Sequence, residues 1–89
     1  MKTIWKFPFN IQDSFAMKIP HAAKILSVQM QGDTPCIWAL VNSNNIIENR
    51  YFRLYGTGHE FELDDFKYIG TFQMNDGALV FHLFETQSL

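Results

Sequence analysis

The segment KILSVQMQGDTPCIWALV, residues 24–41, decides the fold class of this chain. Apolar and polar side chains alternate through residues 24–31, which is the pattern of a half-buried β-strand. Residues 32–35, Gly-Asp-Thr-Pro, form a strong turn signal. Residues 36–41 are apolar on both faces, so they predict a strand that is central in its sheet or covered on both sides. The segment therefore predicts two strands separated by a turn.

The rest of the chain repeats this pattern of short strands broken by turn residues. Further strands are predicted over residues 3–9, 14–19, 47–55, 67–74 and 78–85. About seven strands at a spacing of roughly 8–12 residues are typical of an antiparallel sandwich or small barrel. Since no segment has helical periodicity, we predict an all-β chain with one β domain over residues 1–89.

Several local features refine this prediction. Pro8 cannot donate to a ladder, so the strand of residues 3–9 is expected at a sheet edge. The polar break after it suggests a hairpin with residues 14–19, and Asn75-Asp76-Gly77 predicts a tight hairpin turn. Alternation places three sets of side chains on common faces: Leu26, Val28 and Met30; Tyr51, Arg53 and Tyr55; and Tyr68, Gly70, Phe72 and Met74.

The chain carries many aromatic residues for its length. Nine Phe, three Tyr and two Trp make up 16% of 89 residues, while charged residues make up 18%, below the usual ~25%. This surplus suggests a second buried surface, which is a dimer interface, a partner site or a ligand pocket. The alternative is that the rings simply pack inside a small barrel. We predict a homo-oligomer, most simply a two-fold dimer.

Charge and cysteine content exclude several classes of function. The net charge is −2 and the seven Lys and Arg are scattered, so nonspecific nucleic-acid binding is not expected. No apolar run approaches the ~20 residues of a membrane span. Cys36 is the only cysteine, which fits a reducing compartment, and its apolar strand predicts a buried, inert thiol. The expected location is the cytoplasm of the producing cell.

Catalytic and metal-binding patterns are weak. His21, His59 and His82 are widely spaced, whereas a zinc site needs three or four ligands, usually including a close pair. Glu60 and Glu62 alternate around an aromatic residue and are expected to be solvated loop acids. No nucleophile turn is recognisable. We therefore predict no catalytic residues, no metal and no cofactor, and hence no enzyme.

One segment suggests a ligand site. A strand runs into two glycines that flank a threonine, and glycines let backbone N–H groups turn outward to hold an anion. Two arginines and the neighbouring tyrosines would add positive charge and stacking surfaces. The alternative is that the glycines serve only the turn at the strand exit. The candidate ligand-binding residues are Arg50, Arg53, Tyr55, Gly56, Thr57, Gly58 and His59.

Three regions of the chain also carry a family resemblance. They are the segment IWKFP at residues 4–8, the segments AKILSVQ and PCIWALV at residues 23–29 and 35–41, and the segments YGTGH, YIGTFQ and GALVFH at residues 55–59, 68–73 and 77–82. In these the chain resembles short uncharacterised proteins encoded by tailed bacteriophages and prophages. The resemblance implies an accessory role, and since the family has no established activity, no catalytic residues can be carried over from it.

These considerations leave three functional hypotheses. The first is a non-catalytic phage accessory protein that binds a host protein, plausibly as an antagonist of a host defence system. The second is a protein that binds or sequesters a small anionic ligand such as a signal nucleotide. The third is a structural component of the virion.

Overall fold

The computed structural model describes all of residues 1–89 and contains seven strands. The strands are β1 (Lys2–Pro8), β2 (Ser14–Pro20), β3 (Lys24–Gln31), β4 (Thr34–Asn42), β5 (Ile47–Gly56), β6 (Phe66–Met74) and β7 (Leu79–Thr86). The all-β prediction is confirmed, and each predicted strand agrees with an observed one to within two residues at either end. No helix of the structure is long and apolar enough to cross a membrane.

The strands form two antiparallel sheets that pack as a sandwich. One sheet has the order β1-β4-β3 and the other has the order β2-β5-β7-β6. The edges of β3 and β6 lie against each other. Gly70 permits this close approach, because a Cβ atom there would lie only 3.0 Å from Cγ1 of Val28.

The expected hairpin between the first two strands is wrong. β1 pairs with β4, and β2 pairs with β5 in the other sheet. The connection between β1 and β2 crosses between the sheets, and this carries Phe9 into the core, where its ring stacks on that of Phe15 at 4.9 Å. The burial of an aromatic ring therefore stabilises a crossing connection over a local hairpin.

The core lies between the sheets and follows the alternation of each strand. From β4 it takes Ile37, Ala39 and Val41, whose neighbours Trp38 and Leu40 are half-buried on the opposite face. The prediction that this strand is central was right, although its outer face is only partly covered. The whole cluster is Phe9, Phe15, Ile19, Ala23, Val28, Ile37, Ala39, Val41, Phe52, Leu54, Phe72 and Leu83.

Register shifts in β3 and β6 overturn two of the face predictions. One shift lies between Ile25 and Ser27, and it leaves Leu26 44% exposed while Val28 is buried. The other lies between Tyr68 and Gly70, and it leaves Tyr68 53% exposed. A β-bulge inserts one extra residue and so reverses the facing of everything before it.

The predicted hairpin turn between β6 and β7 is confirmed. Asn75, Asp76 and Gly77 all have positive φ, at 53°, 55° and 87°. The N–H of Ala78 donates to the carbonyl of Asn75 at 3.0 Å. These residue types tolerate the left-handed region, so the chain reverses here with little strain.

Candidate binding face

The residues on the outer face of the four-stranded sheet are those that alternate with its buried residues. Phe52, Leu54 and Leu83 are buried between the sheets, so their sequence neighbours on β5 and β7 point outward. In the register, Arg53, Phe84 and Tyr68 form one row across β5, β7 and β6. Tyr55, His82 and Thr71 form the next row.

A cluster of five rings covers this surface, and we call it the aromatic face: Tyr55, Phe61, Phe66, Tyr68 and Phe84. Phe84 is its centre, since its ring centroid lies 5.2–5.9 Å from those of the other four. Phe61, Phe66 and Tyr68 are 45%, 50% and 53% exposed. The aromatic surplus of the sequence is thus partly on the surface.

The connection between β5 and β6 contributes one of the five rings. Residues 59–65 form no strand, and the segment turns back so that Phe61 lies on Tyr55. Their ring centroids are 3.8 Å apart and their planes differ by 8°. Stacking therefore holds an otherwise irregular segment against the sheet.

A chain of hydrogen bonds borders the rings. Nε2 of His82 lies 2.6 Å from the hydroxyl of Thr57, and its Nδ1 lies 2.9 Å from the hydroxyl of Thr71. The Thr71 hydroxyl in turn lies 2.5 Å from that of Tyr68. Both ring nitrogens of His82 are therefore engaged, which fixes the imidazole beside the aromatic face.

Arg50 is separated from the other candidate ligand residues. Its side chain points to the opposite side of β5, where it forms a two-pronged ion pair with Glu85 and donates to the carbonyl of Ala23 at 2.8 Å. The hydrogen bonds that the Arg50 guanidinium donates to the Glu85 carboxylate raise the pKa of Arg50 above its ordinary value, against the opposing effect of burial. Its donors are thus used inside the protein.

The glycine turn also uses several of its own donors. The N–H of Thr57 donates to the carbonyl of Val80 at 3.2 Å, and the N–H of His59 donates to that of Gly56 at 3.1 Å. Gly58 has a φ of 86°, which glycine adopts freely. The structure therefore brings Arg53, Tyr55 and Thr57 to the side of the aromatic face, while the amides of residues 57 and 59 serve the turn.

Other reactive groups are dispersed. Nδ1 of His21 lies 3.0 Å from Oε2 of Glu48, and this contact lowers the pKa of the Glu48 carboxyl. Cys36 is a buried free thiol. No group of three or more His, Cys, Asp or Glu residues is placed to hold a metal ion. Glu60 and Glu62 are both exposed.

Comparison with known proteins gives a family. A family model described as Domain of unknown function (DUF7352) matches residues 1–89. The chain belongs to the DUF7352 family. No curated protein and no solved structure matches the chain. The strand order and aromatic face described above are therefore features of a DUF7352 domain.

Sequence reasoning did not group four of the aromatic residues of this DUF7352 domain into a site: Phe61, Phe66, Tyr68 and Phe84. One available signal was that His82 and Phe84 lie two residues apart on β7, on the face opposite to the buried Leu83. Nothing local signalled that Tyr68 faces outward, because the bulge after it depends on pairing with β7. No periodic pattern pointed to Phe61, which lies in the irregular connection.

Proposed function

We propose that this chain is a non-catalytic binding protein that captures a partner protein on its aromatic face. The observation that carries the proposal is the ring cluster around Phe84, three of whose members are 45–53% exposed. Contiguous apolar patches are uncommon on the surface of monomeric proteins and mark interaction sites. Aromatic anchors near the centre of an interface supply much of its binding energy.

The surroundings of the rings support a protein partner. Arg53 shares a row with Phe84, and its side chain makes no ion pair or hydrogen bond within the chain, so the guanidinium donors are available at the edge of the cluster. His82 and Thr71 add polar atoms on another side. An apolar centre with a polar rim is the usual anatomy of a protein–protein interface. Four of the five rings stand on or beside paired strands, so the surface is largely pre-organised.

The size of the hollow beside the glycine turn does not favour a small ligand at that place. The hollow beside the glycine turn, lined by residues such as Thr57, His59 and Phe81, measures only about 230 Å³ and is open to solvent. Drug-sized ligands bind in clefts of about 300–1,000 Å³ that enclose most of their surface. Binding of a small anionic ligand by Arg53, Tyr55 and Thr57 stays the alternative proposal. A role in the virion also stays a prediction.

The partner is expected among host proteins. This expectation rests on the resemblance to short phage proteins and, within that setting, a protein of a host defence system is the candidate we favour. Such an interaction would take place in the bacterial cytoplasm. It requires no chemistry from the chain, only occupation of a surface that the host protein needs.

Affinity capture with the tagged protein tests this proposal. The wild type is expected to retain a stoichiometric host protein. The double variant Phe66→Ala/Tyr68→Ala is expected to bind it about 1,000-fold more weakly, since two ring anchors are removed at about 2 kcal/mol each. The matched control is Leu26→Ala/Ile47→Ala, which truncates two exposed apolar side chains away from the rings. Equal capture by the two double variants would contradict the proposal.

Self-association through the same rings is the alternative to capture of a partner protein, because one surface cannot be buried against both at once. We expect a two-fold homodimer, because rings that remain exposed in one subunit are suited to burial against a second. Size-exclusion chromatography with light scattering at micromolar concentration should give twice the 10.4 kDa of the single chain. A strict monomer at that concentration would contradict the dimer and would leave the aromatic face free for a different protein.

A further inference from the structure

The three-stranded sheet of the sandwich is positively charged. The three-stranded sheet with its turn carries Lys2, Lys6 and Lys24 against a single acid, Asp33. Of the other eight acidic residues of the chain, Glu48 and Glu85 lie on strands of the four-stranded sheet and six lie in connections. The lysines share the outer face of their sheet, because Lys24 and Ile4 both pair with Leu40, and Lys2 and Lys6 lie two residues to either side of Ile4.

The outer edge of β1 has unpaired backbone groups. The N–H of Ser43 donates to the carbonyl of Met1, and the N–H of Phe9 donates to the carbonyl of Pro35. The odd-numbered residues of β1 therefore direct their backbone N–H and C=O groups toward β4. In an antiparallel pair this direction alternates along the strand. The N–H and C=O groups of Lys2, Ile4 and Lys6 therefore point away from the sheet.

Little shields this edge. The pairing of β1 with β4 runs through seven residues without a bulge, and Pro8, the one residue that lacks a donor, stands at its end. Ile4 is 58% exposed and Trp5 is 38% exposed. A regular edge strand with free backbone groups is a template for another strand.

We propose that β1 binds an extended segment of another protein by strand addition, and that this segment carries carboxylates opposite Lys2 and Lys6 with an apolar residue between them, opposite Ile4. The outward N–H and C=O groups of Lys2, Ile4 and Lys6 form hydrogen bonds with the backbone of the added segment. The two lysine ammonium groups favour a segment with negatively charged side chains. This surface is distinct from the aromatic face and does not depend on it.

Charge argues against a second copy as the occupant. Two-fold pairing of β1 with itself about Ile4 uses all the outward donors, but it places Lys2 directly opposite Lys6 of a second copy, and does so twice. Like charges directly opposite each other destabilise a strand pair. Acidic side chains at the same two positions would instead form favourable pairs.

The probe is the peptide acetyl-Ser-Glu-Thr-Val-Thr-Glu-Ser-amide, which places its two glutamates opposite the lysines and its valine opposite Ile4. Titrated into the full-length ¹⁵N-labelled protein, it is expected to shift the amide resonances of Lys2, Ile4 and Lys6 and to slow their hydrogen exchange. The control peptide has lysine in place of both glutamates. We expect it to bind at least tenfold more weakly.

The variant Ile4→Pro tests the role of the outward backbone N–H groups of β1 directly. The Ile4 N–H points outward, so proline there removes a donor to the peptide but no hydrogen bond to β4, and proline is tolerated on edge strands. It should abolish the shifts while thermal unfolding and the rest of the spectrum stay close to wild type. Should it fail to fold, Lys2→Glu/Lys6→Glu replaces it and should reverse the preference between the two peptides.

Three results of the peptide titration would overturn the proposal. They are equal binding of the two peptides, peptide-induced shifts that fall on Phe84 and Tyr68 instead of β1, and absence of any shift at millimolar peptide. Concentration-dependent shifts of the β1 amides without peptide, with a dimer by light scattering, would assign the edge to a second copy and also overturn it. Since the capture experiment uses variants of the aromatic face, the two proposals fail independently.

Discussion

Phe52→Ala is expected to lower the free energy of unfolding by about 3–5 kcal/mol. Phe52 is fully buried, pairs across strands with Phe15 and stacks on its ring at 5.4 Å. Truncation removes the ring from the centre of the sandwich and leaves a cavity that strands on both sides hold open. A domain of this length has a total stability of about 5–13 kcal/mol, so a large part of it would be lost.

Urea denaturation followed by circular dichroism measures this change, with Phe66→Ala as the matched control. Phe66 is the same residue type but is 50% exposed, so its truncation should lower the unfolding free energy by about 1 kcal/mol or less. If the two variants lose equal stability, the core does not lie where the strand register places it.

Arg50→Met should destabilise the protein by about 3 kcal/mol. Its side chain and that of Glu85 are only 20% and 15% exposed, and the pair joins β5 to β7 while a further N–H of Arg50 reaches the carbonyl of Ala23. Removal of the arginine leaves the Glu85 carboxylate largely desolvated without its partner. The midpoint of the urea transition is therefore expected to fall well below that of the wild type.

The double variant Arg50→Met/Glu85→Leu distinguishes an unpaired charge from lost packing. With both charges replaced by apolar groups of similar volume, stability should return to within about 1 kcal/mol of the wild type, because no buried charge remains. The cycle is completed by Glu85→Leu alone. If the effects of the two single variants simply add, the ion pair does not couple these strands.

The extent of each strand could be predicted from local sequence, and so could the β6–β7 hairpin, but the partners of β1 and β2 could not. Alternation of Phe52 and Leu54 with polar or amphipathic neighbours identifies the buried face of β5 within the segment itself. The pairing of β1 with β4 joins residues up to 40 apart, Lys2 with Asn42. Since neither strand contains a signal for the other, the local hairpin seemed the simpler arrangement.

The candidate site shows the same division. Arg53 and Tyr55 share a face by alternation, as predicted. Arg50 stands an odd number of residues away, so alternation alone puts it on the opposite side, where Glu85 pairs with it. Grouping it with the others rested on proximity in the chain. Phe61 joins the rings only because the irregular connection turns back over the sheet.

By itself, the sequence determined that this chain forms about seven short strands, which face of most strands is buried, and where the tightest turn lies. These properties depend on side-chain alternation and on residues that tolerate positive φ, which act within a few residues. Only the tertiary structure decided which distant strands pair, where the bulge turns Tyr68 outward, and which rings meet around Phe84. These properties depend on pairing between distant segments, whose energy exists only once the two sheets have come together.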